Sequence, residues 1–216
     1  MRVVQITMPR VSISSSRAVG GVVLCGGKST RMGSSKALLP FGPEAMLQRV
    51  VRLLSEVVSP IVIVAAIDQD LPPLPEGVIV TRDENEGRGP LEGLRAGLKA
   101  LPTTVDAAYV TSCDVPLLET GFVRQMIDLA NDYDIAVMEI DGFTHPLSAV
   151  YRRATLPSVE DLLANNRLRP VFLFDAAKTR RVKPEEMTSD PGLRTLRNLN
   201  TREDYERALT EAGIKR

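Results

Sequence analysis

From Gly21 the chain reads Gly-Val-Val-Leu-Cys-Gly-Gly-Lys-Ser-Thr-Arg-Met-Gly-Ser-Ser-Lys, ending at Lys36. An apolar run that breaks directly into a glycine pair is the end of a buried strand, and it commits the chain to a sheet whose strand ends carry ligand loops. Gly26 and Gly27 have no Cβ, so the backbone there is free to take positive φ and to approach a ligand closely. Successive N–H groups in such a turn form a nest for phosphate oxygens. Arg31 and Lys36 supply cations that neutralise a polyphosphate, so the segment reads as a nucleoside triphosphate site near residue 30.

Two templates meet in this loop. Gly27-Lys28-Ser29-Thr30 matches the end of G-x-x-x-x-G-K-[ST], but the first glycine of that pattern falls on Val22, inside the strand, where no phosphate wrap can begin. The pyrophosphorylase pattern L-x-G-G-x-x-x-R-M-G, followed by x-x-K, is met in full by Leu24, Gly26, Gly27, Arg31, Met32, Gly33 and Lys36. Against a bare Gly/Ser-rich surface loop stand two spaced cations that call for an anion.

Strand-like and helix-like segments alternate along the rest of the chain, the pattern of an α/β fold with a mostly parallel sheet covered on both faces. Val19–Leu24, Ile61–Ala66, Ala107–Thr111 and Ile135–Ile140 are apolar runs expected as strands, with a shorter one at Val78–Thr81. Asp141-Gly142 turns into Pro146–Tyr151, and Arg180–Lys183 suits an edge strand. Helices are expected over Pro43–Val58, Pro90–Leu101, Gly121–Asn131 and Ala154–Asn165, and from the Thr201 cap to Gly213. Residues 1–18 are expected to be a disordered extension and 19–216 a single domain.

Three loops sit at the carboxyl ends of these strands: 25–36, 83–93 and 112–116. They are expected to converge on one crevice. Asp114 ends a stretch uncharged since Asp106 and precedes Val115-Pro116. A carboxylate just past a buried strand suits Mg2+, which takes one or two carboxylates plus phosphate oxygens and water, and it also suits a helix cap. Asp83 opens the polar loop before Gly89-Pro90-Leu91 and suits the N1–H and exocyclic amine of guanine; a solvated turn aspartate fits the same residues. His145, the only histidine, is assigned at most a binding role. Asn198-Leu199-Asn200-Thr201 reads as a turn and helix cap whose amides also suit a polar ring system.

Lys plus Arg number 27 and Asp plus Glu number 27, so the formal net charge is zero. With no basic block, no Trp and 4% aromatic residues, nucleic-acid and membrane-surface binding are not expected as the main task. No segment reaches the roughly 18 apolar residues needed to span a bilayer, and Met1–Ala18 lacks the apolar core of a secretory signal. Cys25 and Cys113, the only cysteines, are read as reduced thiols in a cytoplasmic protein, Cys113 as inert packing.

Taken in order, Leu24–Lys36, Asp83 with Gly89-Pro90-Leu91-Glu92-Gly93-Leu94, Ser112-Cys113-Asp114-Val115-Pro116, Thr144-His145-Pro146 and Asn198-Leu199-Asn200-Thr201 resemble the molybdenum cofactor guanylyltransferase family over about residues 19–212. The resemblance implies a three-layer Rossmann-like nucleotidyltransferase that moves GMP from GTP to molybdopterin with Mg2+ and releases pyrophosphate. It also implies transient contact with molybdoenzyme maturation proteins. By position, Leu24, Cys25, Gly26, Gly27, Lys36, Asp83, Gly89, Pro90, Leu91 and Asp114 would bind the nucleotide. Asp114 would hold the metal, with Arg31, Lys36 and Asp114 as the catalytic set, and His145, Arg169, Asn198 and Asn200 would face the acceptor. Cys25 stands where alanine is usual, and Val64 where the family carries asparagine at the end of the second strand. The rival readings are CTP or a sugar phosphate as substrate, and a GTP-binding protein without turnover.

Overall fold

The apolar runs Val19–Leu24 (β1), Ile61–Ala66 (β4) and Ala107–Ser112 (β6) lie side by side as parallel strands, with β1 in the middle. The computed structural model describes residues 18–26, 35–83, 85 and 87–214. Gly27 and Arg31, and the extension at 1–17, lie outside the described residues. The remaining elements are β2 (Pro40–Phe41), β3 (Glu44–Ala45), α1 (Met46–Ser55), β5 (Ile79–Asp83), α2 (Pro90–Ala100), α3 (Thr120–Leu129), β7 (Ile135–Ile140), β8 (Phe143–Arg152), α4 (Leu156–Ala164), α5 (Val171–Ala176), β9 (Thr179–Val182) and α6 (Arg202–Glu211). The main sheet has seven strands in the order β5-β4-β1-β6-β8-β7-β9. Only β8 runs against its neighbours β6 and β7.

Each central strand is apolar on both sides because both faces are covered. Val23, Ile63 and Tyr109 pack with α1 and α3 through Leu47, Val50, Leu54, Phe122 and Met126. Val22, Leu24, Val62 and Val110 pack on the other face with α2, α4 and α5 through Leu91, Leu98, Val159, Leu162 and Phe174. Three layers result, as expected. From β1 the chain winds outward to β4 and β5, then returns to the far side of β1 as β6. The switch point of the fold therefore lies between the carboxyl ends of β1 and β6, where such sheets hold ligands.

Several boundaries differ from the sequence reading, each for a local reason. The helix expected from Pro43 starts at Met46, because Pro40–Ala45 closes a small hairpin with Gly42 at φ 70°. The third parallel strand runs on to Asp83, since its ladder with β4 continues through Ala66↔Asp83. β8 begins at Phe143 rather than Pro146, and Pro146 falls where the pairing with β7 slips from Val137↔Ala149 to Met138↔His145. A residue without an N–H is tolerated at such an irregularity. Helix α5 had no counterpart in the sequence reading; its six residues are too few to show a helical period. Val64 does not stand at its strand's end: it is 2% exposed in the core, two residues before the strand finishes.

Candidate active site

At the switch point, Lys36 Nζ lies 2.7 Å from Asp114 Oδ2 and donates to Asn200 Oδ1 at 2.9 Å. Ser112 Oγ donates to Asp114 Oδ1 at 2.6 Å, and Asn198 Nδ2 donates to the same oxygen at 2.9 Å. The backbone joins in as well, with Leu199 N–H on the Asp114 carbonyl at 3.0 Å. Asp114 ends up here because β6 stops at Ser112, and the Lys36 side chain arrives from a single 3-10 turn, Lys36–Leu38. The carboxylate is 12% exposed and the lysine side chain 18%, so the pair is sheltered yet open to a ligand. The segment carrying the asparagines is fixed by the Thr201 cap, whose side chain accepts from Asp204 N–H at the start of α6.

The first loop is held at both described ends by one residue that sequence reasoning missed. Gln69 Nε2 donates to the Cys25 carbonyl at 3.0 Å and to Ser35 Oγ at 3.1 Å, clamping the two sides of the glycine-rich loop. Arg82 holds the same corner through the Ala66 and Gln69 carbonyls, both at 2.8 Å. A glutamine in the plain stretch Ile67-Asp68-Gln69-Asp70 carries no sequence signal of this kind. Leu24 and Cys25 are buried, Gly26 is exposed, and the Cys25 N–H donates to the Val64 carbonyl at 2.8 Å. Val64 thus takes part through its backbone alone. Hydrogen bonding with Cys113, then burial, pushes the Cys25 thiol well above its ordinary range, so it stays protonated and unreactive.

The second loop reaches the first through α2. A Cβ on Gly93 would lie 3.0 Å from Leu24 Cδ1, and one on Gly97 only 2.4 Å from Val22 Cγ1, so these glycines let the helix start lie directly on β1. Gly89 has φ 79°, the left-handed region that admits glycine most readily, and Pro90 begins the helix. Leu91 is fully buried and packs into the core beneath the helix start. Asp83 ends β5 and accepts from the Asn85 N–H at 3.0 Å, a local turn contact. Behind it lies Glu92, 1% exposed and tied to Asn85, Arg88 and Arg95. Arg95 follows Glu92 by three residues on α2, whereas Arg88 reaches it from the loop ahead of the helix.

His145 and Arg169 are not part of the Asp114 network. His145 sits on β8 opposite Met138, half-buried, and burial lowers its imidazole below the ordinary 6.5. Arg169 is exposed just before α5. Asn198 and Asn200, expected at the acceptor, hydrogen-bond to Asp114 and Lys36 respectively. Among the described residues no three His, Cys, Asp or Glu side chains form a metal cluster, and no helix is long and apolar enough to cross a membrane.

A doubly covered α/β sheet with a lysine–aspartate pair at its switch point and glycine loops on either side defines a nucleotidyltransferase-type enzyme. The family model of the MobA-like NTP transferase domain matches residues 21–181. The probable molybdenum cofactor guanylyltransferase of Carboxydothermus hydrogenoformans is 32% identical over 198 residues, covering 89% of this chain and 96% of that protein. The probable molybdenum cofactor guanylyltransferase of Mycobacterium avium is 33% identical over 204 residues, covering 93% of this chain and 99% of its own length. In fold, the chain is similar to molybdopterin-guanine dinucleotide biosynthesis protein A from Archaeoglobus fulgidus, with TM-score 0.73 over 90% of this chain and 98% of that one, at 18% identity. The chain belongs to the molybdenum cofactor guanylyltransferase family of nucleotidyltransferases.

Proposed function

We propose that this enzyme transfers GMP from GTP to molybdopterin and releases pyrophosphate in an Mg2+-dependent reaction. The observation that carries this reading is the 2.7 Å Lys36–Asp114 pair at the switch point, braced by Asn198 and Asn200, in a chain whose relatives bear the guanylyltransferase name.

The donor set suits Mg2+. The Asp114 carboxylate and the Asn200 carbonyl oxygen already share one cation, the Lys36 ammonium, and a hard ion seeks oxygens of that kind. With Asp114 as its carboxylate, Mg2+ would complete its shell with triphosphate oxygens and water, and when bound it would neutralise the charge on them. Asp114 would hold the ion, with Asn200 beside it.

The chain's own residues then position the reactants. The N–H groups of the glycine-rich loop bind the triphosphate, and Lys36 exchanges Asp114 for a phosphate oxygen as the nucleotide enters. Asp83 accepts from the guanine edge. His145 and Arg169 are assigned to the acceptor by the family resemblance alone. A terminal phosphate oxygen of molybdopterin attacks the α-phosphorus of GTP in line, and the bond from that phosphorus to the bridging oxygen breaks. Pyrophosphate departs with the electron pair. Lys36, Arg31 and the loop N–H groups stabilise the charge that builds on it. An ionised acceptor phosphate needs no general base from the protein.

The test is pyrophosphate release with Mg2+ and molybdopterin, comparing GTP with CTP, ATP and UTP. Release selective for GTP is expected. Release with CTP alone would remove the guanine assignment, and silence with every nucleotide beside measurable GTP binding would remove the transfer reaction.

A further inference from the structure

Among the described residues, Glu92 is the most deeply buried carboxylate beside the nucleotide loops, at 1% exposure, and the reaction just described makes no direct use of it. Its Oε1 accepts from Arg95 Nε at 2.8 Å and Nη2 at 2.5 Å, and also from Asn85 Nδ2 at 3.1 Å. Its Oε2 faces Arg88 Nη1 at 3.5 Å. Arg88 in turn donates to the Leu163 carbonyl, which anchors the loop tip to α4. The backbone N–H of Asn85 donates to Asp83 Oδ1 at 3.0 Å. One buried anion therefore binds the segment that follows Asp83, the loop tip and the first turns of α2.

We infer that Glu92 is a specificity-positioning residue: through Asn85 it holds the Asp83 carboxylate where it meets the exocyclic amine of the base, while phosphate binding belongs to the other loop. This rests on the reading of Asp83 as the guanine contact. A buried carboxylate surrounded by two guanidiniums keeps its geometry because every departure leaves a charge unpaired in a dry site. Gly89, which ends this loop, has φ 79°, a conformation that glycine adopts readily.

The experiment measures equilibrium binding of GTP and inosine triphosphate, which lacks the exocyclic amine, to the full chain and to Glu92→Gln, Glu92→Ala and Asp83→Ala. The ratio of the two affinities is independent of the folded fraction, so partial unfolding of a variant does not obscure it. Asp83→Ala is expected to abolish the preference for GTP. Glu92→Gln keeps the shape of the side chain but loses its charge, and it is expected to cut the preference about tenfold, the scale of one well-placed hydrogen bond to a charged group. A role in stability alone would weaken both nucleotides equally, and an unchanged ratio in Glu92→Gln and Glu92→Ala, with Asp83→Ala losing the preference, overturns the inference while leaving Asp83 in place. An unchanged ratio in Asp83→Ala overturns both.

Discussion

Asp114 and Glu92 are two sheltered carboxylates at the same edge of the sheet, and their surroundings differ in kind. Asp114 is paired with one flexible ammonium and two neutral donors at 12% exposure, whereas Glu92 is enclosed by two guanidiniums at 1%. A lysine is a point charge on a mobile stem and can be handed to an incoming phosphate; a planar arginine pair is suited to stay. The same residue class is thus suited to exchange in one place and to fixation in the other. Exposure and the identity of the cation decide which.

The sharpest way to break this contrast is stability. Glu92→Ala leaves Arg95 and Arg88 without their shared anion, and because both guanidiniums keep some access to water the cost should be about 1.5–3 kcal/mol, the scale of hydrogen bonds to a charged group, to be read from urea unfolding. Asp114→Ala should cost far less in the same experiment, and equal losses would erase the distinction. In turnover the order reverses. Asp114→Ala or Lys36→Ala should lower pyrophosphate release by roughly 10²–10³, the scale for a lost transition-state contact, and near-wild-type rates would defeat both assignments.

Smaller effects sharpen the picture. Gln69→Ala removes the clamp between Cys25 and Ser35, and with each hydrogen bond contributing about 1 kcal/mol it should raise the KM for GTP roughly three- to tenfold. A KM that does not move would make Gln69 a bystander. His145 gives the smallest effect. Its folded pKa lies below the ordinary 6.5, so as pH falls through that value the unfolded chain takes up a proton that the folded chain resists. Stability should drop on acidification below pH 6.5 and be unaffected by this residue well above it. Melting curves of His145→Gln that parallel the unaltered chain across pH 5–7.5 would count against it.

Much of the architecture was readable because its signals are local. Val19–Leu24 and Ile61–Ala66 were bounded to the residue, since a strand covered on both faces must be apolar throughout. Thr201 was readable as a cap because its partner, Asp204, is three residues away. Pro43 misled the reading because a proline at a helix start and one in a hairpin look alike until the strand partner is known. Pro146 misled it because a bulge is a property of two strands. Nothing local marks Glu92 as buried; the packing of α2 against the sheet and α4 encloses it.

By itself, the sequence determined the alternation of strands and helices and the placing of Asp83 at the end of one strand and Asp114 just past another, because each depends on residues within a few positions of one another. The tertiary structure alone decided that Lys36 rests on Asp114, 78 residues on, and on Asn200, 164 residues on. Those meetings follow from the order in which β1 and β6 become neighbours, and no local period in the chain encodes which distant side chain a strand order will bring within 3 Å.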